Sequence, residues 1–403
     1  MQPSTTVVCG VPIDDLTLGE TVDRVCELVQ RGRVTGRTHQ VATINVDFVV
    51  NALADRSLLS MLQHADLAIP DGMPIVWGSR LLGSPLRERV AGVDLVAALA
   101  ERCASSGYSM YLFGGAVGVA GRAADLLRAR HPGLRITADS GPFFTAPEDM
   151  DREALVRIED AAPDILCVAL GHPKQERWIE AYRRAIGVPV LIGVGGALDF
   201  LTGTTRRAPE WMQRGGVEWL HRAAREPRRL IRRYARDAVR FGPSLLRDVV
   251  VTKGQAGGHA RPCRAQQVGE GVLLVRPHGR LHLTAATLGW TQAQWQDPPA
   301  GHHVVIDLAE LSMLGHAELG AVVGLAKRLS DNGGRLTLSS VPSAVAKVIL
   351  DLRLYDFLST SSTALFDHVP SVDDAASATV PAAPAVTTEP SEQVTGERRM
   401  TNV

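Results

Sequence analysis

The loop Ile69-Pro70-Asp71-Gly72 holds a carboxylate between a proline and a glycine, directly after a short apolar run. A carboxylate fixed so tightly can act as general base and draw a proton from an attacking hydroxyl. The same residue can also cap the helix that Met73-Pro74-Ile75-Val76-Trp77 would begin. Thr43-Ile44-Asn45 offers two short hydrogen-bonding side chains after another apolar run, suited to a polar substrate or equally to closing a turn. In Arg89-Val90-Ala91-Gly92-Val93-Asp94, Arg89 can clamp a phosphate through two parallel hydrogen bonds, or be an ordinary surface arginine, and Asp94 can bind substrate or equally cap the following helix. Three glycine-containing turns complete the set: Gly114-Gly115, Gly171-His172-Pro173-Lys174-Gln175-Glu176, and Gly193-Val194-Gly195-Gly196 followed by Arg206-Arg207. Glycines at a strand-to-helix turn let a phosphate approach backbone N–H groups. Gln175 and Glu176 fit a nucleotide-facing loop or the charged start of a helix, and Arg207 can neutralise a diphosphate. Asp149-Met150-Asp151 has the spacing of a cation-holding Asp-x-Asp pair, but beside Pro147-Glu148 it reads better as the acidic first turn of a helix, and no metal is expected.

These residues need a scaffold that gathers them. Short β-branched runs at Gln40–Ile44, Leu67–Ile69, Met110–Phe113, Arg135–Ala138, Ile165–Ala169 and Val190–Val194 alternate with amphipathic stretches such as Leu18–Val29, Val93–Ser105 and Val119–Arg130. The alternation predicts a Rossmann-like α/β domain over residues 1–202, a parallel sheet covered on both faces. Such sheets bind ligands at the carboxyl ends of their strands, where each of these motifs falls. Residues 203–250 are locally basic, with twelve arginines against five acids between 202 and 250. Leu230, Tyr234, Ala238 and Phe241 fall near helical spacing beside an arginine stripe that includes Arg229 and Arg232, a basic amphipathic helix. A glycine-rich linker, 251–263, leads to a smaller α/β unit over 264–369. Residues 370–403 are Ala-, Thr-, Pro- and Glu-rich and are expected to be disordered.

The chain has 403 residues, 45% of them hydrophobic, and 43 basic side chains balance 43 acidic ones. The balance excludes a polybasic nucleic-acid binder, and aromatic content of only 5% argues against a base-stacking platform. Five scattered cysteines without a CxxC pair indicate neither a zinc site nor a disulfide framework, and fit reduced thiols in a cytoplasm. The first residues lack the pattern of a secretory signal. The longest apolar stretch, Val188–Leu201, is interrupted by a proline, three glycines and Asp199 and is too short to span a bilayer. The expected location is therefore cytoplasmic, with any membrane contact peripheral.

In order and spacing, the motifs over about residues 7–250 resemble the WecG/TagA/CpsF family of bacterial glycosyltransferases. The resemblance rests on Thr43-Ile44-Asn45, Asp71 to Trp77, Arg89 to Asp94, Gly171 to Glu176, Arg207-Ala208-Pro209 and Glu218-Trp219-Leu220-His221-Arg222, leading to Glu226-Pro227-Arg228-Arg229. It implies inverting transfer of an N-acetylmannosamine-type or related sugar from a UDP-sugar to a polyprenyl-diphosphate-linked acceptor, without a metal or other cofactor. Asp71 would be the general base, Thr43 and Asn45 would meet the donor sugar, and Arg89 and Gln175 would lie near the sugar nucleotide. The arginine-rich segment would meet the inner face of the cell membrane, with Arg222, Arg229 and Arg232 on lipid or on the acceptor diphosphate. His221 departs from the arginine frequent there. Residues 264–369 resemble a STAS domain through Val304-Val305-Ile306-Asp307-Leu308, Leu319-Gly320 and Gly333-Gly334-Arg335-Leu336. The phosphoacceptor stretch of switching STAS domains is replaced by Gly315-His316-Ala317-Glu318, which implies a docking module for a protein partner rather than a kinase-driven switch. The competing functional reading is a regulatory protein that senses sugar nucleotide and signals through this second domain. A Rossmann dehydrogenase is disfavoured by the missing GxGxxG.

Overall fold

The computed structural model describes residues 4–140, 152–225, 227–253 and 264–361. A hairpin of β1 (Thr5–Val8) and β2 (Val11–Asp14) precedes α1 (Leu18–Thr35), β3 (His39–Ile44), α2 (Val46–Ala54), α3 (Arg56–Gln63), β4 (Leu67–Pro70) and α4 (Met73–Leu81). Then follow α5 (Gly92–Ser106), β5 (Ser109–Gly114), α6 (Val119–Arg130), β6 (Arg135–Asp139), α7 (Arg152–Ala161), β7 (Ile165–Ala169), α8 (Lys174–Tyr182), β8 (Val190–Gly193) and α9 (Ala197–Leu201). β3 to β8 form one parallel sheet in the order β4-β3-β8-β7-β5-β6. All six predicted strands are present. Their central members are buried along their whole length, as parallel strands covered on both faces must be.

The helices read as the periodicity predicts. α1 buries Val22, Val25, Cys26 and Val29 along one stripe. It starts on a Thr17–Glu20 capping box and ends at Gly36 in the left-handed region, φ 70°. α1, α5 and α6 cover one face of the sheet, α2, α3 and α4 the other. Cys9, Cys26, Cys103 and Cys167 are free and buried within these layers.

The basic segment forms α10 (Glu210–Arg214), α11 (Glu218–Arg225) and α12 (Pro227–Lys253). In α12, Phe241, Leu245 and Val249 recur every four residues and join the core beneath α2, α3 and α4. The C-terminal unit contains β9 (Gln266–Gly269), β10 (Val272–Val275), β11 (Gly279–Arg280), α13 (Ala285–Leu288), α14 (Gln292–Gln296), β12 (His303–Asp307) and β13 (Leu311–Met313). It finishes with α15 (His316–Asp331), β14 (Arg335–Ser339), α16 (Ser343–Asp351) and α17 (Tyr355–Ser361). Its main sheet runs β14-β12-β10-β9, parallel except for the β9–β10 pair. The single helix expected over 285–295 is two short ones, because Gly289 adopts φ 71° and closes the first.

Two features escaped the sequence reading. The β1–β2 hairpin is one, and its Val7 packs with the C-terminal core rather than with the parallel sheet. The other is the set of short β9, β11 and β13, which carry too few residues to show a period. The tail, the Asp149–Asp151 pattern, Cys263 and most of the linker lie outside the described residues.

Candidate active site

The carboxyl ends of β3, β4 and β8 lie side by side, and their loops carry Asn45, Asp71 and Gly195. Asp71 is half-buried in the turn between β4 and α4, its N–H donating to the Ile44 carbonyl (2.8 Å). It does not cap α4, whose N-cap is Gly72 without a side-chain bond. Its Oδ1 instead accepts from the N–H of Gly92, the first residue of α5 (3.2 Å). The carboxylate thus sits at the positive end of a 15-residue helix. Gly72 packs tightly here, since a Cβ would lie 3.2 Å from Asn45 Cβ. That close approach brings the β3 and β4 loops together.

Burial pushes the Asp71 pKa up, and Arg89, the Gly92 N–H and Arg222 offset this in part, while Glu218 adds to the rise. A carboxyl group held above its ordinary range, yet flanked by two arginines, is the environment that suits a general base. Arg89 pairs with Glu218 at 3.0 Å, both side chains largely buried. Asp94 does not cap α5, because the cap position is Ala91. It lies in the first turn and takes a bidentate pair from Arg207, both contacts 2.6 Å. Glu218 is also 3.8 Å from Arg207 Nε. Asp71, Arg89, Asp94, Arg207, Glu218 and Arg222 therefore form one alternating charge cluster joining the core to the appendage. Arg222 also lies over the Phe200 ring, 5.2 Å from its centroid.

The remaining predicted residues divide. Asn45 caps α2, its Oδ1 accepting from Asp47 N–H (3.0 Å) and Phe48 N–H (3.4 Å), and so stands beside the Asp71 loop. Thr43 is buried and donates to the Gly193 carbonyl (2.8 Å), tying β3 to the end of β8. Gln175 accepts from Gly195 N–H (2.9 Å) and donates to Glu176 (2.8 Å), whose other oxygen meets His172 Nδ1 (2.8 Å). His172 stacks on Phe48, centroids 3.8 Å apart. Gln175 and Glu176 are each 1% exposed, so this chain fixes the glycine loop after β8 from within. Gly171, at φ 77°, turns the backbone into it. Gly114 adopts φ 100°, and a Cβ there would lie 2.9 Å from the Ala169 carbonyl oxygen. Its necessity is that approach of β5 to β7, and among the described residues no hydrogen bond or ion pair links it to the Asp71 cluster. Arg232 is exposed on α12, and Arg229 lies on the same helix, its side chain outside the description.

Glu218 is the member of the cluster to which sequence reasoning gave no role. Its signal was an acid at the start of a helix within an arginine-rich stretch, which also fits a simple dipole partner. Its two arginine partners lie 129 and 11 residues away in the chain, and only the fold reveals them.

The family model for the glycosyl transferase WecG/TagA/CpsF family matches residues 6–255, and that for the STAS domain matches 264–372. An N-acetylglucosaminyldiphosphoundecaprenol N-acetyl-beta-D-mannosaminyltransferase of Bacillus spizizenii is 31% identical over 189 residues, 47% of this chain and 72% of that protein. One of the same description from Bacillus subtilis is 31% identical over 188 residues, 46% of this chain and 72% of the relative. Another from Staphylococcus aureus is 27% identical over 217 residues, 54% of this chain and 83% of the relative. With its charged cluster at the strand ends and most of its length matched, the chain belongs to the WecG/TagA/CpsF glycosyltransferase family and carries a STAS domain behind the catalytic one.

Proposed function

We propose that this glycosyltransferase moves an N-acetylmannosamine-type sugar, or a related hexose, from a UDP-sugar to a polyprenyl-diphosphate-linked acceptor, with inversion at the anomeric carbon. The observation that carries the reading is Asp71, half-buried, at the N-terminus of α5 and beside Arg89 and Arg222. Single-step displacement of UDP needs one base for the acceptor hydroxyl and positive charge for the departing diphosphate. Asp71 takes the proton as the hydroxyl oxygen bonds to the sugar carbon and the bond to UDP breaks. Arg89, Arg207 and Arg222 supply the field. Asn45, beside the base, would orient the donor sugar, while Thr43 and Gln175 would act by holding the loops. The relatives' names, which specify a diphosphoundecaprenol acceptor, support the acceptor class.

No described helix is long and apolar enough to cross a membrane. We place the protein at the inner face of the cell membrane through the appendage. Trp211, Ile231, Val239, Leu246 and Val250 are exposed among its arginines. That mixture suits an anionic headgroup layer, where each basic residue near the surface contributes about 1 kcal/mol. The direct test is a panel of radiolabelled UDP-sugars incubated with a polyprenyl-diphosphate-linked N-acetylglucosamine acceptor. Label entering the lipid phase from a donor of this class supports the reading, and absence of transfer from every donor refutes it.

A further inference from the structure

The STAS domain is seated on the transferase through surfaces that no pattern along the chain pairs. Helix α15 presents Gly320 and Gly324 on one face, and β1 lies across them. A Cβ at Gly320 would lie 1.8 Å from the Thr5 carbonyl oxygen, and one at Gly324 would lie 2.7 Å from Thr5 Oγ1. Val7 of β1 is fully buried and packs with the STAS core. Polar ties flank the hairpin. Gln63 Nε2 donates to the carbonyls of Gly10 (2.8 Å) and Arg353 (2.9 Å), and Arg353 donates to the Leu53 carbonyl (2.9 Å). Arg37 bridges Asp66 (2.8 Å) and Asp331 (2.9 Å).

Helix α12 reaches the same junction. Near its C-terminal end Asp248 accepts from Cys9 N–H (2.8 Å), Arg247 pairs with Asp351 of α16 (2.6 Å), and Val251 packs against the STAS core. Upstream, the same helix serves the catalytic domain. A Cβ at Gly78 of α4, the helix behind Asp71, would meet Leu245 at 3.3 Å. Arg236 pairs with Asp47, in the first turn of the helix that Asn45 caps. α11, which carries Glu218 and Arg222, leads directly into α12. A 27-residue helix thus touches α2 and α4, the helices that follow the Asn45 and Asp71 loops, along its middle and the STAS domain at its end.

We propose that the STAS domain is a clasp acting within its own chain: α15 grips β1, α16 grips the end of α12, and together they hold the basic appendage against the Asp71 cluster. The occupant of the α15 surface is β1 of the same molecule, and an outside protein reaches that surface only by displacing it. The effect on transfer rests on the catalytic reading above, whereas the mechanical claim does not.

The test is Gly320→Ala in the full chain, read by segment-resolved amide hydrogen exchange and by transfer rate. Alanine favours a helix interior over glycine, so the substitution spares the STAS fold and opposes only the docking of β1. Gly324→Ala is the milder version, because its nearest neighbours are side-chain tips, Thr5 Oγ1 at 2.7 Å and the Arg328 guanidinium at 3.2 Å. Gly121→Ala, with nothing within 4 Å of the added Cβ, is the control. The clasp predicts exchange at least about tenfold faster in 227–253 for Gly320→Ala, a smaller rise for Gly324→Ala, unchanged β12 and β14, and a parallel fall in transfer. Unchanged exchange in 227–253 while β1 loosens would overturn it. Should Gly320→Ala also expose β12 and β14, Gly324→Ala decides by the same criterion. If the unsubstituted chain transfers no sugar, the catalytic reading fails while the exchange result still decides the clasp.

Discussion

Replacing Asp71 by asparagine should separate catalysis from stability. The side chain keeps its shape, and its amide oxygen can still accept from the Gly92 N–H, now 3.2 Å from Oδ1. What disappears is the proton acceptor. Loss of a positioned general base costs about two to four decades in rate, or about 3–5 kcal/mol of transition-state stabilisation. Stability should move the other way or not at all. The folded-state pKa of Asp71 is raised, so the folded chain holds this proton more tightly than the unfolded chain. The ionised carboxylate therefore weakens the fold as pH rises above the ordinary aspartate range, and neutral asparagine removes that penalty. The assay is transfer of radiolabelled sugar to the lipid-linked acceptor, run beside thermal unfolding of the same preparations. A variant that keeps more than about a tenth of the rate would refute the role of Asp71. Loss of activity together with a clearly lower melting temperature would show instead that Asp71 is structural.

Arg89→Gln and Glu218→Gln should move the acid limb of the activity–pH profile in opposite directions. Losing Arg89 raises the Asp71 pKa further and shifts the limb to higher pH, whereas neutralising Glu218 shifts it lower, and equal shifts of one sign would contradict the charge cluster. Gly193→Ala should destabilise the chain by about 1–3 kcal/mol in urea unfolding, because its Cβ would lie 2.6 Å from Gln175 Nε2 and 3.1 Å from Glu176 Oε1, both buried. His316, buried at the start of α15 and pushed down to about 4, binds its proton less readily folded than unfolded. The stability it lends is complete above about pH 6.5 and lost as pH falls toward 4, about 3 kcal/mol in all. His316→Gln should flatten that slope in urea titrations across this range, and an identical slope in both proteins would count against it.

The parallel sheet, most of its helices and the loops that hold Asp71 and Asn45 are legible in the order of residues alone. Apolar runs of period two and stripes of period 3.6 are local signals, and a motif after a strand must fall at the sheet's carboxyl edge. Side-chain allegiance was decided by tertiary structure. Asp71 and Asp94 each had a local capping alternative, but Asp71 bonds across to α5 and Asp94 to Arg207, because partners distant in sequence arrive at hydrogen-bonding range only once the layers pack. Gln175 looked outward in sequence and points inward in the fold, satisfying the Gly195 N–H that burial would otherwise leave unpaired. The β1–β2 hairpin is too short to announce its partner, and its place beneath α15 depends on the absence of side chains at Gly320 and Gly324, a fit of surfaces that no periodicity along the chain encodes.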